Sequence, residues 1–124
     1  VRSDIAGGVI VVPVGYVSTA DISIYWTNLG VGAGNVVWQC ISGAFSDTGG
    51  LNNTGGSETI TTLAAIAAPT QDVLKTTAFS TSIPNVAASR MVRFAISRIA
   101  DDAADTLAND AGLVGVLFSC VVDM

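Results

Sequence analysis

"DISIYWT", residues 21–27, is the stretch that decides the fold class of this chain. Its large apolar side chains, Ile22, Ile24 and Trp26, fall at every second position, and serine, tyrosine and threonine occupy the positions that follow each of them. A period of two residues is typical of a strand with one face in a core and the other toward solvent. We therefore expect a half-buried β-strand here, with these three side chains pointing inward.

The same period recurs in "MVRFAISR", residues 91–98, where Val92, Phe94 and Ile96 share one face. Other β-rich runs are "GVIVVPV" (8–14), "NVVWQCI" (35–41), "ETITTLAAIAA" (58–68), "DVLKTTAFSTSI" (72–83) and "GLVGVLFSCVV" (112–122). No stretch has the pattern of a confident amphipathic helix. Seven or eight strands separated by Gly, Asn and Pro turns predict an all-β fold, an antiparallel β-sandwich with a jelly roll as its leading form. We expect one domain over residues 1–124.

Several positions sharpen this expectation. Pro13 has no N–H to donate to a ladder, so it should lie at a sheet edge or a strand end. Trp26 and Trp38 are expected to fill the core, as large aromatic residues in sandwiches usually do. The run at 112–122 suits a long, largely buried final strand. The polar segment "SDTGGLNNTGGS", residues 46–57, is expected to be an exposed loop.

The charge content limits what the chain can bind. Charged residues make up 12% of the chain, about half the usual share, and the mean hydropathy is +0.59. Part of the surface should therefore be covered, and no apolar run approaches the roughly 20 residues of a membrane helix, so we expect protein neighbours and no membrane. With a net charge of −5, a single lysine and four arginines, the chain lacks a basic patch, and we expect no nucleic-acid binding.

The residue types exclude some catalytic centres. Without histidine, the chain itself cannot build a Ser-His-Asp triad or a histidine-bearing zinc site, and two cysteines cannot make a Cys₄ cluster. Cys40 and Cys120 are most simply buried small hydrophobes, and a disulfide between them stays open. We expect no enzyme activity and no cofactor. Because the chain begins at Val1, we also expect a start residue or a leader before it.

The acidic segment "SRIADDAADTLAND", residues 97–110, has three interpretations. Asp101, Asp102, Asp105 and Asp110 offer closely spaced oxygen ligands for calcium, although the D-x-D-x-D-G order of an EF-hand is missing. A glycosidase needs two carboxylates across a cleft, one of them with a raised pKa, which one crowded polar turn does not favour. The third interpretation is structural: short Asp and Thr side chains bind backbone amides in the turn, and Arg98 pairs with one carboxylate at the end of its strand. We favour this third interpretation.

Two tyrosines are candidates for contacts. Tyr25 lies on the polar face of its strand, where it can anchor a protein interface, since tyrosine is enriched at such contacts. Tyr16 or Tyr25 could alternatively present a flat ring to a sugar.

A longer pattern carries a resemblance to a known class of proteins. It runs from "YW" (25–26) through a Gly-rich turn and "GNVVW" (34–38) to "MVRFAISRIADDAADTLANDAGLVGVLF" (91–118). This order resembles small β-sandwich structural proteins of tailed bacteriophages, of the head-decoration and fibre types, over about half of the chain. Their pattern of arginine, acidic turn, Asp-Thr and a final Asp before the last strand is matched by Arg98, Asp105, Thr106 and Asp110.

The resemblance implies a structural role in a virion, as a capsid decoration or a head or tail fibre module bound to the major capsid protein or other virion proteins. Together with the low charge, it predicts a homo-oligomer. A trimer is favoured over a dimer, because three-fold symmetry suits both fibre tips and the axes of an icosahedral shell. The alternative is a carbohydrate-binding or receptor-binding module of a phage fibre, which would use exposed aromatic residues and the loop at 46–57.

Overall fold

The computed structural model describes residues 5–45 and 58–123, and over these residues it contains nine β-strands and no helix. The strands are β1 (Ile5–Val11), β2 (Tyr16–Asn28), β3 (Asn35–Val36), β4 (Trp38–Phe45), β5 (Thr59–Thr62), β6 (Ile66–Ala67), β7 (Lys75–Ala78), β8 (Met91–Arg98) and β9 (Ala111–Val122). The predicted all-β fold is confirmed. The loop predicted at 46–57 lies outside the described residues.

The strands form antiparallel sheets with the orders β1-β8-β4-β5 and β7-β2-β9, and β3 pairs with β6 in a short third ladder. This strand order does not by itself establish a jelly roll, which has eight strands in two Greek keys, so that topology stays a prediction. Pro13 follows the end of β1, as expected for a residue that cannot donate to a ladder.

One apolar core lies between the two larger sheets. The inward side chains of β2, Ile22, Ile24 and Trp26, are fully buried, and they meet Val92 and Ile96 of β8 in the same cluster. The rings of Trp26 and Trp38 approach edge to face, with centroids 5.5 Å apart and planes inclined by 66°. Trp26 and Trp38 come from different sheets, so this aromatic pair joins the two layers.

The glycine-rich segment after β2 is a crossover between the sheets rather than a hairpin, because β2 and β4 belong to different sheets. The segment passes close to the loop before β9. A Cβ on Gly30 would lie 2.4 Å from Cγ of Asn109, and a Cβ on Gly34 would lie 2.7 Å from the backbone of Leu107. Side chains at these two positions would collide with their neighbours, which explains why glycine is used there.

The last strand differs from its prediction. Residues 112–122 were expected to be largely buried, but β9 is a sheet edge that pairs with β2, and its side chains are half-buried or exposed. Phe94 faces inward as predicted, yet it is only half-buried, because it lies over Gly8 of β1, the neighbouring edge strand. Burial inside this chain therefore accounts for only part of the apolar character of β9.

The two lateral sides of the sandwich are built differently. On the side of β5, the hydroxyl groups of Thr61 and Thr81 lie 2.6 Å apart, and Thr59 donates to the carbonyl oxygen of Ser82 at 2.9 Å. These bonds connect β5 to the segment that follows β7. On the other side, β1 and β9 each have one edge that no described strand pairs with. We call this second side, formed by β1 and β9, the open side.

Candidate functional site

The acidic segment folds around one arginine. Arg98, the last residue of β8, binds the carboxylate of Asp105 through two hydrogen bonds, from Nε to Oδ2 at 2.9 Å and from Nη2 to Oδ1 at 2.5 Å. Both side chains are almost fully buried, with 7% and 1% of their surface exposed. A two-pronged pairing of this kind fixes geometry as well as charge.

Arg98 makes two further hydrogen bonds. Nη1 donates to the carbonyl oxygen of Asn109 at 2.8 Å, and Nη2 donates to that of Leu107 at 2.6 Å. Asp105 Oδ2 accepts a further bond from the backbone N–H of Val37 at 3.0 Å. The segment between β8 and β9 is therefore attached both to β8 and to Val37, the residue before β4.

These contacts determine the ionisation of Asp105. Burial by itself raises the pKa of this carboxyl, but the hydrogen bonds from Arg98 and Val37 and the positive charge of Arg98 outweigh it. The pKa of Asp105 consequently lies below its usual value. A carboxylate held in this way is a poor proton donor or acceptor at neutral pH, and it acts here as a fixed charge.

Thr106 extends the same network. Its Oγ1 accepts from the backbone N–H of Asn35 at 2.9 Å, and its own N–H donates to the Asn35 carbonyl oxygen at 2.9 Å. Asp110 has an exposed side chain, and its carbonyl oxygen accepts from the N–H of Leu29 at 3.0 Å. The structure thus brings Arg98, Asp105 and Thr106 together, and we call these three residues the Arg98 clamp; Asp110 contributes only its backbone.

Sequence reasoning missed one member of this end of the molecule. Asn28, at the end of β2, is buried, and its side-chain amide donates to Gly32 O at 2.8 Å while its Oδ1 accepts from the Gly30 N–H at 3.0 Å. It thereby shapes the crossover. The sequence pattern could have predicted its inward position, because the alternation of Ile22, Ile24 and Trp26, continued by two residues, places Asn28 on the same face.

The acids proposed as calcium ligands point to different partners. Asp102 Oδ1 accepts from the backbone N–H of Ala104 at 2.8 Å, Asp105 is held by Arg98, and Asp101 is exposed. Within residues 5–45 and 58–123, no three Cys, Asp or Glu side chains lie close enough to share a metal ion. In this geometry the acidic segment organises its own backbone.

The two tyrosines have different surroundings. Tyr25 is half-buried and lies opposite Gly115 of β9, where its Cδ2 is 3.8 Å from the position that a Cβ on Gly115 would take. It therefore covers a glycine of the edge strand. Tyr16, the first residue of β2, is half-buried and forms part of the wall of a surface cavity at the opposite end of β2 from Asn28.

The open side exposes apolar side chains from both of its strands. Neither β1 nor β9 contains a charged residue, and β9 runs for 12 residues without proline. Val9 and Val11 of β1 are 51% and 64% exposed, and Val114 and Leu117 of β9 are 64% and 43% exposed. Soluble proteins usually protect such edges with lysine, proline or a covering segment, because the free N–H and C=O groups pair readily with another strand.

Side chains that face the core from this side are also incompletely covered. Phe94 on β8 and Leu113, Val116 and Phe118 on β9 pack against the core but remain half-buried. A second layer of protein over the open side would remove this apolar surface from water, at roughly 25 cal/mol for each Å². The open side is therefore the candidate functional surface of the chain.

Both cysteines are free thiols. Cys40 is fully buried on the inner face of β4, and burial raises the pKa of its thiol to about 12. Cys120 is half-buried on β9, in the other sheet. A buried thiol with so high a pKa is unreactive, because the thiolate is the nucleophile.

No helix long and apolar enough to cross a membrane occurs in the described part of the chain. Comparison of the chain with known protein families, with curated proteins and with solved structures found no match.

Proposed function

We propose that this chain is a structural protein of a tailed-bacteriophage virion, a capsid decoration or a head or tail fibre module, which assembles as a homo-oligomer on coat proteins. The observation that carries the proposal is the open side, where two uncharged edge strands leave backbone hydrogen-bonding groups and apolar side chains uncovered. The resemblance of residues 91–118 to small phage structural proteins supports the choice of virion. A subunit built for assembly needs no catalytic centre.

The charge distribution favours a second copy of the chain as the partner on this side. Two copies each carry a net charge of −5 and repel each other over most of their surfaces. All ten acids lie outside β1 and β9, so no carboxylate of these two strands opposes contact between two open sides. Pairing of edge strands then supplies main-chain hydrogen bonds, and the valine and leucine side chains supply apolar contact.

The charged residues that flank the two ends of β9 disfavour pairing of β9 with β9 of a second copy. If β9 paired with β9 of a second copy in a centred antiparallel register, Ala111 would face Val122, and Asp110 would face Asp123 at both ends. Like charges opposite each other destabilise a strand pair. Pairing of β1 with β9 of the next copy avoids this register. Where the rotation between neighbouring copies closes, such a contact builds a ring, and we favour a trimer because three-fold symmetry suits fibre tips and the axes of an icosahedral shell.

Lysine substitutions test the interface. In sedimentation at micromolar concentration, the wild type is expected to run at about three times 12.6 kDa, and Val114→Lys, on the edge of β9, is expected to run as the 12.6 kDa species. Val31→Lys is the matched control, since Val31 is 92% exposed and belongs to the crossover segment and not to either edge strand. A wild type that sediments only as a monomer contradicts self-assembly in solution.

Two further measurements distinguish a ring that pairs β1 with β9 from a dimer that pairs β9 with β9. Val9→Lys on β1 should abolish a ring that pairs β1 with β9, but it should leave a dimer built from β9 alone intact. Labelling of Cys120 by a thiol reagent should be slow in the wild type and fast in Val114→Lys, while Cys40, fully buried, stays unlabelled in both native proteins. Equal labelling of Cys120 in both proteins would place the interface elsewhere.

The virion role requires a test on particles. Purified protein is expected to bind phage capsids or fibres that lack it, and electron microscopy of particles with and without it would locate the added density. Val114→Lys should bind less, because coat proteins would receive single subunits instead of an assembled ring. Absence of binding to any virion component would overturn this assignment and leave only self-assembly.

A further inference from the structure

A surface cavity lies at the end of the sandwich opposite the Arg98 clamp. Its volume is about 520 Å³, within the range of small-ligand sites. One wall comes from the first part of β2, with Tyr16, Thr19 and Asp21, and the other comes from Ser80–Ile83, which follow β7. The two walls are far apart in sequence, and the pairing of β2 with β7 brings them together.

A carboxylate is fixed between the two walls. Asp21 Oδ1 accepts from its neighbour Ile22 N–H at 2.8 Å and from the Thr81 N–H at 3.1 Å. These bonds use one oxygen and connect β2 to the second wall, so the carboxylate is held in place. Among the described residues, no donor lies on the other oxygen, Oδ2. An acceptor that is positioned in advance costs little entropy when a ligand hydroxyl binds to it.

Hydroxyl side chains line the same cavity. Tyr16, Ser80 and Ser82 all line the cavity, and no hydrogen bond of their side-chain oxygens is made to another described residue. Each hydroxyl can both donate and accept. The lining also includes apolar surface from Ile83 and from the Tyr16 ring, which packs partly against the core. The cavity therefore combines several neutral donors and acceptors with a flat aromatic side chain.

Two of the five non-glycine residues with positive φ in the described part of the chain line this cavity. Thr19 and Ser80, one in each wall, have φ values of 62° and 51°. This left-handed region is unfavourable for side chains other than glycine, and most of all for a β-branched residue such as threonine. The register of β2 with β9 also shifts between Ser18 and Asp21. Strained positions that the surrounding structure enforces are concentrated at ligand sites in many proteins.

We propose that this cavity binds a neutral saccharide, with the Asp21 carboxylate accepting sugar hydroxyl groups and the Tyr16 ring packing against a pyranose face. Neutral ligands are favoured over anions because no Lys or Arg lines the cavity, and a protein of net charge −5 repels anions. Sugar hydroxyls match a wall of hydroxyls and one carboxylate. The inference does not depend on the proposed assembly, since no residue of β1 or β9 lines the cavity.

The test is binding of the full chain to a panel of neutral mono- and oligosaccharides, followed by saturation-transfer NMR and titration calorimetry, with a hexose phosphate as the anionic probe. We expect at least one neutral sugar to bind and the hexose phosphate to bind more weakly. Failure of the whole neutral panel at millimolar concentration, or preference for the phosphorylated sugar, would overturn the proposal.

Single substitutions test whether the sugar binds in this cavity. Asp21→Asn keeps an oxygen for the Ile22 and Thr81 N–H groups, so the fold should persist, but affinity should fall by about ten-fold or more, as for loss of a hydrogen bond to a charged group. Tyr16→Ala should also weaken binding, and Tyr25→Ala, at the other half-buried tyrosine, should not. Unchanged affinity in both Asp21→Asn and Tyr16→Ala would mean that any sugar binds elsewhere. Sedimentation of Asp21→Asn should match the wild type, which separates this test from that of assembly.

Discussion

The Arg98 clamp and the Tyr16–Asp21 cavity, at opposite ends of the sandwich, use the same kinds of residue for different purposes. Each contains an aspartate fixed by backbone N–H groups and a nearby hydroxyl side chain. In the clamp, arginine occupies both carboxylate oxygens, and the pair is almost entirely buried. In the cavity, one carboxylate oxygen and several hydroxyls have no described partner. The comparison teaches that residue type alone does not separate a structural cluster from a binding site; partners within the chain do.

The largest effect should come from breaking the clamp. Arg98→Ala leaves the Asp105 carboxylate buried without its cation, which costs about 3 to 5 kcal/mol in the free energy of unfolding. Arg93→Ala is the control, because its ion pair with Glu58 lies at the surface, where such pairs contribute about 1 kcal/mol or less. Urea denaturation measures both. Equal losses at the two arginines would show that the clamp is no more important than a surface pair.

The contribution of the Arg98 clamp to the free energy of unfolding should decrease at acid pH. The pKa of Asp105 is lowered in the folded state, so its stabilising contribution is fully present above the unfolded value of about 3.9 and is lost as pH falls through the lower folded-state pKa. Unfolding measured from pH 7 to pH 2 should show this loss below about pH 4. Asp105→Asn should flatten that part of the profile. An unchanged slope in the variant would mean that other carboxyl groups cause the acid sensitivity.

The sequence predicted the clamp better than the cavity, and the reason is distance along the chain. Arg98 and Asp105 are seven residues apart, so an arginine at a strand end followed by acids was enough to suggest their pairing. Asp21 and Thr81 are 60 residues apart, and only the pairing of β2 with β7 brings them together. Local patterns cannot reveal a contact that depends on sheet order.

The edge position of β9 was missed for a related reason. An uncharged run of 12 residues fits a strand buried in its own chain and a strand buried by another chain equally well, because both need apolar side chains. By contrast, the alternation in residues 21–27 predicted the inward faces of Ile22, Ile24 and Trp26 correctly, since the face that remains outside is polar. The alternation of apolar and polar residues indicates which face of a strand is buried, but it does not indicate which strands lie beside it in the sheet.

A smaller effect of the opposite sign is expected at the cavity. Thr19→Gly should stabilise the protein by about 0.5 to 1 kcal/mol, because glycine adopts the positive φ of 62° without the penalty of a β-branched side chain, and this gain exceeds its greater entropy loss. Thr106→Gly is the control in the clamp and should destabilise, since it removes the hydroxyl that accepts from Asn35. Thermal and urea unfolding measure both. Destabilisation by Thr19→Gly would show that the cavity wall is not strained.

The smallest expected effect is none at all, and it concerns metal at the acidic segment. Asp105 is already neutralised by Arg98, and Asp102 accepts from the Ala104 N–H, so neither carboxylate is free to contribute fully to the six to eight oxygen ligands that calcium takes. A ligand stabilises a fold only if it binds the native state, so removing calcium should leave Tm unchanged when no site exists. Melting curves in EDTA and in millimolar calcium should therefore superimpose. A drop in Tm with EDTA that calcium restores would show that this end of the molecule, too, holds a ligand, and the contrast between clamp and cavity would fail.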